Sequence, residues 1–114
     1  MSSTRNLDGR PILDSESTGY ELERLEAGLR ALPKIPERMH NGIRRYVSGR
    51  ILPGGFLQAF LANDLYDTLR LADDENILLL SEWMTLLYHY LPSGCWGSPK
   101  KMRDWIAMRN DEEI

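Results

Sequence analysis

The amino-acid sequence predicts an all-α protein, a compact bundle of about five helices with a flexible N-terminal arm. From residue 18 onward, apolar side chains recur every three to four residues, which is the period of an amphipathic helix. Prolines and glycines divide this pattern into segments of helical length, and no run alternates apolar and polar residues as a half-buried strand would. We therefore predict an arm over residues 1–17, one helical domain over residues 18–110 and an acidic tail over residues 111–114.

The first two helices are delimited by proline. Leucines at helical spacing predict a helix over residues 18–32, with glutamates in its first turns, where carboxylates complement the helix dipole, and with Pro33 directly after it. Pro36 can occupy the first position of a second helix, which is expected to end near Gly49.

Three further helices are predicted in the C-terminal two thirds. Pro53-Gly54-Gly55 opens the third, whose single apolar stripe is expected to comprise Phe56, Leu57, Phe60, Leu61, Leu65 and Leu69. The fourth begins at Asp73 and ends before Pro92. It is apolar around most of its circumference, which predicts either a central helix or the interface of a homo-oligomer. The fifth has Ser98 as its N-cap and Pro99 at its first position.

Composition excludes several classes of protein. The chain has 114 residues, of which 42% are hydrophobic and 27% charged, as expected for one globular domain. Its formal net charge of −3 disfavours a general nucleic-acid binder, because neutralising phosphates requires an excess of Lys and Arg. The single Cys95 cannot form an internal disulfide, and no apolar segment is long enough for a leader or a membrane span. A cytoplasmic protein is expected.

Charge is unevenly distributed along the chain. Residues 36–50 carry four arginines against one glutamate, a net charge of +3, and residues 93–109 carry four basic residues against one aspartate, again +3. Residues 51–92 carry six acids and one arginine, a net charge of −5. Each basic segment borders a glycine-bearing turn that leads into a helix, and a helix N-terminus presents unpaired N–H groups to anions.

These two turns and the basic residues near them predict a site for an anionic, ring-containing ligand. Backbone N–H groups and arginines would contact phosphate, and an aromatic ring would supply a stacking surface. The candidate ligand-binding residues are Arg44, Arg45, Gly54, Gly55, Trp96, Ser98 and Lys100. The alternative interpretation is that the glycines only shape turns and that Trp96 only fills the core.

No catalytic, cofactor-binding or metal-binding motif is present in the sequence. The acids Asp73, Asp74 and Glu75 are explained by the preference of a first helical turn for negative charge, and no second cluster stands at metal-ligand spacing. His40 and His89 are too few to define a Cys/His pair with Cys95. We therefore expect no metal, no cofactor and no enzymatic activity.

Several short strings, in this order and at this separation, resemble small uncharacterised phage and prophage proteins over roughly residues 36–106. The strings are Arg45-Tyr46-Val47, Pro53-Gly54-Gly55-Phe56-Leu57, Asn63-Asp64-Leu65, Ala72-Asp73-Asp74-Glu75-Asn76, Leu87-Tyr88 and Cys95-Trp96-Gly97-Ser98-Pro99. The resemblance implies a viral or mobile-element origin and supplies no catalytic residues. Small phage proteins include inhibitors of host immunity, which associates the chain with counter-defence.

Three functions are compatible with these features. The preferred one is a phage counter-defence protein that sequesters a small anionic, nucleotide-derived signalling molecule at the two basic turns. The alternative is an inhibitor of a host defence protein or complex, which would use the acids of residues 64–82 and surplus apolar surface. A small enzyme that degrades a host metabolite is the third, and it lacks a recognisable set of catalytic residues.

Overall fold

The computed structural model describes the backbone of residues 14–113 and the side chains of residues 19–108. Within that range the protein is helical and has no strand, which confirms the predicted all-α class. The helices are α1 (Asp14–Ala31), α2 (His40–Gly49), α3 (Gly55–Leu61), α4 (Leu65–Leu71), α5 (Asp74–Ile77), α6 (Leu80–Tyr90) and α7 (Pro99–Glu113), with single 3₁₀ turns at Glu37–Met39 and Ser93–Cys95.

The predicted third helix is two helices, α3 and α4. Asn63 has a left-handed backbone with φ of 64°, which stops α3, and asparagine tolerates this conformation better than most residues. The carboxylate of Asp64 then caps α4 by accepting a hydrogen bond from the N–H of Asp67 at 3.1 Å. The expected apolar stripe is therefore wrong for its last two members. Leu65 and Leu69 are exposed, whereas the stripe residues of α3 are buried or half-buried.

The predicted fourth helix is also interrupted. Asp73 caps the single turn α5 by accepting a hydrogen bond from the N–H of Asn76 at 2.8 Å. Two turn residues, Leu78 and Leu79, then separate α5 from α6, and Leu79 leaves the helical region with φ of −114° and ψ of 20°. Leu78 faces solvent, which contradicts the prediction of a central helix and leaves the alternative prediction, a homo-oligomer interface, untested.

The outer boundaries also differ from the prediction. α1 begins at Asp14, inside the segment expected to be an arm, and α7 continues to Glu113 through most of the expected tail. The rest of the predicted arm, residues 1–13, lies outside the described residues. Ser98 caps α7 as predicted, because its hydroxyl accepts a hydrogen bond from the N–H of Lys101 at 3.1 Å.

The core lies where α1, α2 and α6 meet. Its fully buried members include Leu25, Ile43, Tyr46, Val47, Trp83, Leu86 and Leu87. α1 and α6 approach closely at Gly28, where a Cβ atom would lie 2.6 Å from Cγ of Tyr90 and 2.7 Å from Cδ1 of Leu86. A residue without a side chain is therefore required at this contact.

Buried polar groups attach the C-terminal half to α2. The hydroxyl of Tyr46 donates to the carbonyl of Cys95 at 2.5 Å, and the indole N–H of Trp105 donates to the carbonyl of Tyr46 at 2.9 Å. Burial raises the pKa of the Cys95 thiol to about 12, so this cysteine is an inert core residue. These bonds fix the loop before α7 against α2.

Candidate functional site

Arg44 is already occupied by an acid of the same chain. Its guanidinium donates two hydrogen bonds to the carboxylate of Glu26 on α1, at 2.5 and 2.9 Å, and a third to the side chain of Asn41 at 3.0 Å. The hydrogen bonds from Arg44 lower the pKa of Glu26 below its ordinary value. Arg44 thus joins α1 to α2, and binding of an external anion there would compete with Glu26.

Arg45 lies in a different environment from its neighbour. Successive residues of a helix point about 100° apart, so Arg45 faces solvent where Arg44 faces α1. Among the residues whose side chains are described, none forms an ion pair with Arg45. Of the two candidate arginines, Arg45 is the one that makes no hydrogen bond or ion pair with the described side chains.

The two glycines at the start of α3 are exposed. Gly54 is the N-cap and offers no side-chain hydrogen bond, in contrast to the aspartates that cap α4 and α5. A Cβ atom on Gly54 would meet nothing within 4 Å, and one on Gly55 would lie 3.4 Å from Cδ1 of Leu71. Gly54 has an ordinary extended backbone, with φ of −70°. Neither packing nor backbone geometry therefore requires glycine at position 54.

Most of the residues of the second predicted turn already make contacts within the chain. Lys100 forms an ion pair with Asp104 at 2.7 Å, and Ser98 caps α7. Gly97 has a φ of 119°, which favours glycine, and its N–H donates to the carbonyl of Leu61 at 2.8 Å. Trp96 is half-buried, and its indole N–H is buried without an acceptor in the described part of the chain.

The structure does not bring the two turns into one pocket. Gly97 is bonded to the last residue of α3, whereas Gly54 and Gly55 stand at its first turn. At 1.5 Å per residue, the two turns are separated by about 9 Å along this helix. A single ligand that touches both turns would have to span α3.

Sequence reasoning misses a buried ion pair between α1 and the end of α2. Arg50, counted above with the basic segment, is 8% exposed, with its guanidinium carbon 4.2 Å from the centre of the Trp105 ring. Its Nη2 lies 3.9 Å from Oε1 of Glu21. Burial raises the pKa of Glu21, and the positive charge of Arg50 opposes this shift. The sequence signals the position of Arg50 only indirectly, through the predicted end of the second helix near Gly49. The residue that ends α2 is Arg50, which has a left-handed backbone with φ of 56°.

A shallow cavity of about 190 Å³ lies beside this pair. It is lined by Tyr20, Glu21, Arg24, Tyr90, Leu91 and Pro92. None of the seven candidate ligand-binding residues contributes to it. The guanidinium of Arg24 donates to the backbone carbonyl of His89, which holds α1 against the end of α6.

No protein-family model, curated protein or solved structure matches this chain. Over residues 14–113, no helix is both long and apolar enough to cross a membrane. Among the described side chains, those of residues 19–108, no group of three or more His, Cys, Asp or Glu is arranged to hold a metal ion.

Proposed function

We propose that this protein is a phage counter-defence protein that binds and sequesters a small anionic, nucleotide-derived signalling molecule in the cytoplasm of an infected bacterium. It would act by binding alone, without turnover. The observation that carries the proposal is the environment of Arg45, an exposed guanidinium with no acidic partner among the described side chains, whereas the adjacent Arg44 is paired with Glu26.

The neighbouring groups support an anionic ligand of this class. A guanidinium presents a planar set of donors that matches a phosphate group. Residues 50–54 connect α2, which carries Arg45, to α3, and the backbone N–H groups of the first turn of α3 are not capped by a side chain. A ligand long enough to span α3 would find a second set of contacts. These are the half-exposed ring of Trp96 and Lys100 at the start of α7.

Isothermal titration calorimetry with a panel of cyclic and linear nucleotides tests the proposal. A charge-assisted hydrogen bond contributes about 1.5 to 3 kcal/mol, so Arg45→Ala should weaken binding roughly tenfold to a hundredfold. Arg44→Ala is the matched control, because it removes the same charge from the adjacent position but from a group that is bonded to Glu26. We expect the control to bind within about threefold of the wild type.

Two outcomes would reject the proposal. The first is no heat of binding with any nucleotide. The second is equal loss of affinity in Arg44→Ala and Arg45→Ala, which would mean that the unpaired environment of Arg45 has no bearing on recognition. Thermal unfolding of each variant, measured in parallel, separates lost binding from lost structure.

The alternative function, inhibition of a host defence complex by an acidic and apolar surface, has weaker support. Asp73 and Glu75 both bind Arg38, at 2.8 and 2.9 Å, and Asp67 binds Arg70 at 3.0 Å. Three of the six acids in residues 64–82 are thus paired within the chain, which leaves fewer unpaired charges for contacts with a host protein. Coelution of the purified protein with a single host protein, in the absence of nucleotide binding, would favour the alternative.

A further inference from the structure

Glu26 on α1 holds Arg44 next to the arginine that the proposed function uses. Nε and Nη2 of Arg44 donate to the two carboxylate oxygens of Glu26, at 2.5 and 2.9 Å. Both partners are at the surface, since the side chain of Arg44 is 37% exposed and that of Glu26 is 29% exposed. Water screens an ion pair in such a position, so a competing anion displaces it at a small cost. Arg44 is therefore a surface guanidinium that the chain itself keeps occupied.

The third hydrogen bond of Arg44 places its guanidinium beside the helix face of Arg45. Nη1 of Arg44 donates to the side-chain oxygen of Asn41 at 3.0 Å. Asn41 and Arg45 are four residues apart in α2, so they lie one turn apart on the same face. Long side chains of a helix lean toward its N-terminus, which directs Arg45 toward Asn41. An anion bound by Arg45 near Asn41 would thus lie within reach of Arg44 as well.

The charged side chains of this surface match a ligand that brings one negative charge. Arg44 and Arg45 contribute +2 and Glu26 contributes −1, a sum of +1, and the hydrogen bonds from Arg44 lower the pKa of Glu26 and keep it ionised at neutral pH. Glu26 occupies the edge of Arg44 that would bind a phosphate through two parallel hydrogen bonds. A phosphodiester carries one negative charge, whereas a terminal phosphate carries about 1.5 to 2 at neutral pH.

We propose that Glu26 sets the class of ligand that the Arg45 site accepts, which is a nucleotide bound through a phosphodiester group, as in a cyclic nucleotide, and not through a terminal phosphate. Glu26 acts by retaining Arg44 and does not touch the ligand, so it is a positioning residue. This inference rests on the proposed function, because it concerns the selectivity of the same site.

Pairs of nucleotides that share a base and differ in charge test this selectivity. The probes are the cyclic monophosphate and the linear monophosphate of adenosine, guanosine, cytidine and uridine, titrated calorimetrically at neutral pH. We expect the wild type to bind a cyclic monophosphate more tightly than the linear one with the same base. Glu26→Gln removes the charge that retains Arg44, so affinity for the linear monophosphate should rise about tenfold and affinity for the cyclic one should change less than about threefold.

Two further variants identify the cause of such a gain. Glu23→Gln is the matched control, because Glu23 is an exposed acid of the same helix that forms no ion pair with the described side chains. It should leave the selectivity unchanged. Arg44→Ala combined with Glu26→Gln should cancel the gain, because the gain requires the guanidinium that Glu26 releases. Thermal unfolding of each variant shows whether the fold is retained.

The contrary results separate this inference from the proposed function. A wild type that prefers linear monophosphates, a Glu26→Gln variant with unchanged selectivity, or a shift of equal size in Glu23→Gln would overturn the role of Glu26. A gain that persists without Arg44 would overturn it too. In all four cases nucleotides still bind, so the proposed function stands. If neither the wild type nor any variant binds a nucleotide, the proposed function is rejected, and this inference with it.

Discussion

The contact between α1 and α6 and the start of α3 both contain a glycine, but only the first of them requires one. At Gly28, in the middle of α1, an added Cβ would overlap Tyr90 and Leu86. At Gly54 an added Cβ would meet nothing. The glycine that looks like ordinary helix sequence is thus required by packing. The glycine that looks like a special turn is free of packing constraint.

The largest effect is expected at Gly28. Replacing glycine by alanine within a helix gains up to about 1 kcal/mol from propensity, but at Gly28 the new methyl group would force α1 and α6 apart. We expect Gly28→Ala to lower the free energy of unfolding by about 1 to 3 kcal/mol, measured by chemical denaturation. Gly19→Ala, in the same helix but in open space, is the control and should be neutral or stabilising. Equal effects of the two substitutions would show that the α1–α6 contact is loose.

The hydrogen bond that holds α5 to α6 is expected to rank next. The side chain of Asn76 is buried and accepts from the indole N–H of Trp83 at 2.9 Å. Asn76→Ala leaves this buried donor unsatisfied and should cost about 1 to 3 kcal/mol. A double-mutant cycle with Trp83→Phe isolates the bond, because the asparagine substitution should cost less once the donor is gone. A coupling energy of zero would contradict this account.

The two neighbouring arginines should differ modestly in stability. Arg44→Ala breaks a half-exposed pair with Glu26 and should cost about 0.5 to 1 kcal/mol at neutral pH, whereas Arg45→Ala should cost almost nothing. The pKa of Glu26 is lowered in the folded protein, so its contribution is complete above the ordinary value of 4.5 and is lost as the pH falls through the lowered pKa. Glu26→Gln should therefore destabilise at pH 7 and have little effect in strong acid, as urea titrations at several pH values would show.

The smallest effect on stability is expected at Gly54, and it separates the two interpretations of the α3 turn. Gly54→Ser introduces a capping hydroxyl at a position with room for it and should stabilise the protein by a few tenths of a kcal/mol. The same hydroxyl would compete with an anion for the first N–H groups of α3. Unchanged nucleotide affinity in Gly54→Ser would show that this turn only shapes the chain.

Local rules account for the features that the sequence predicts correctly. The all-α class follows from apolar periodicity, and the start of α7 follows from a serine cap and a proline at the first helical position. Asp73 begins a helix as predicted. The breaks at Asn63 and after Ile77 were not predicted, because both interrupt apolar patterns that also fit longer helices.

The candidate site is predictable only in part. The spacing of basic residues and glycines identifies the turns, but it cannot distinguish Arg44 from Arg45, because the distinction depends on Glu26, eighteen residues away in sequence. The burial of Arg50 against Trp105 depends on an even more distant contact.

The sequence by itself determined that the chain is helical and that Asp73 and Ser98 cap helices, because both depend on neighbours within one helical turn. The tertiary structure alone decided which side chains of those helices are available. It pairs Arg44 and leaves Arg45 exposed, buries Trp83, and turns the leucines and the tyrosine of α4 toward solvent. Availability is set by which helices pack together, and that packing depends on contacts between residues far apart in the chain, which periodicity does not encode.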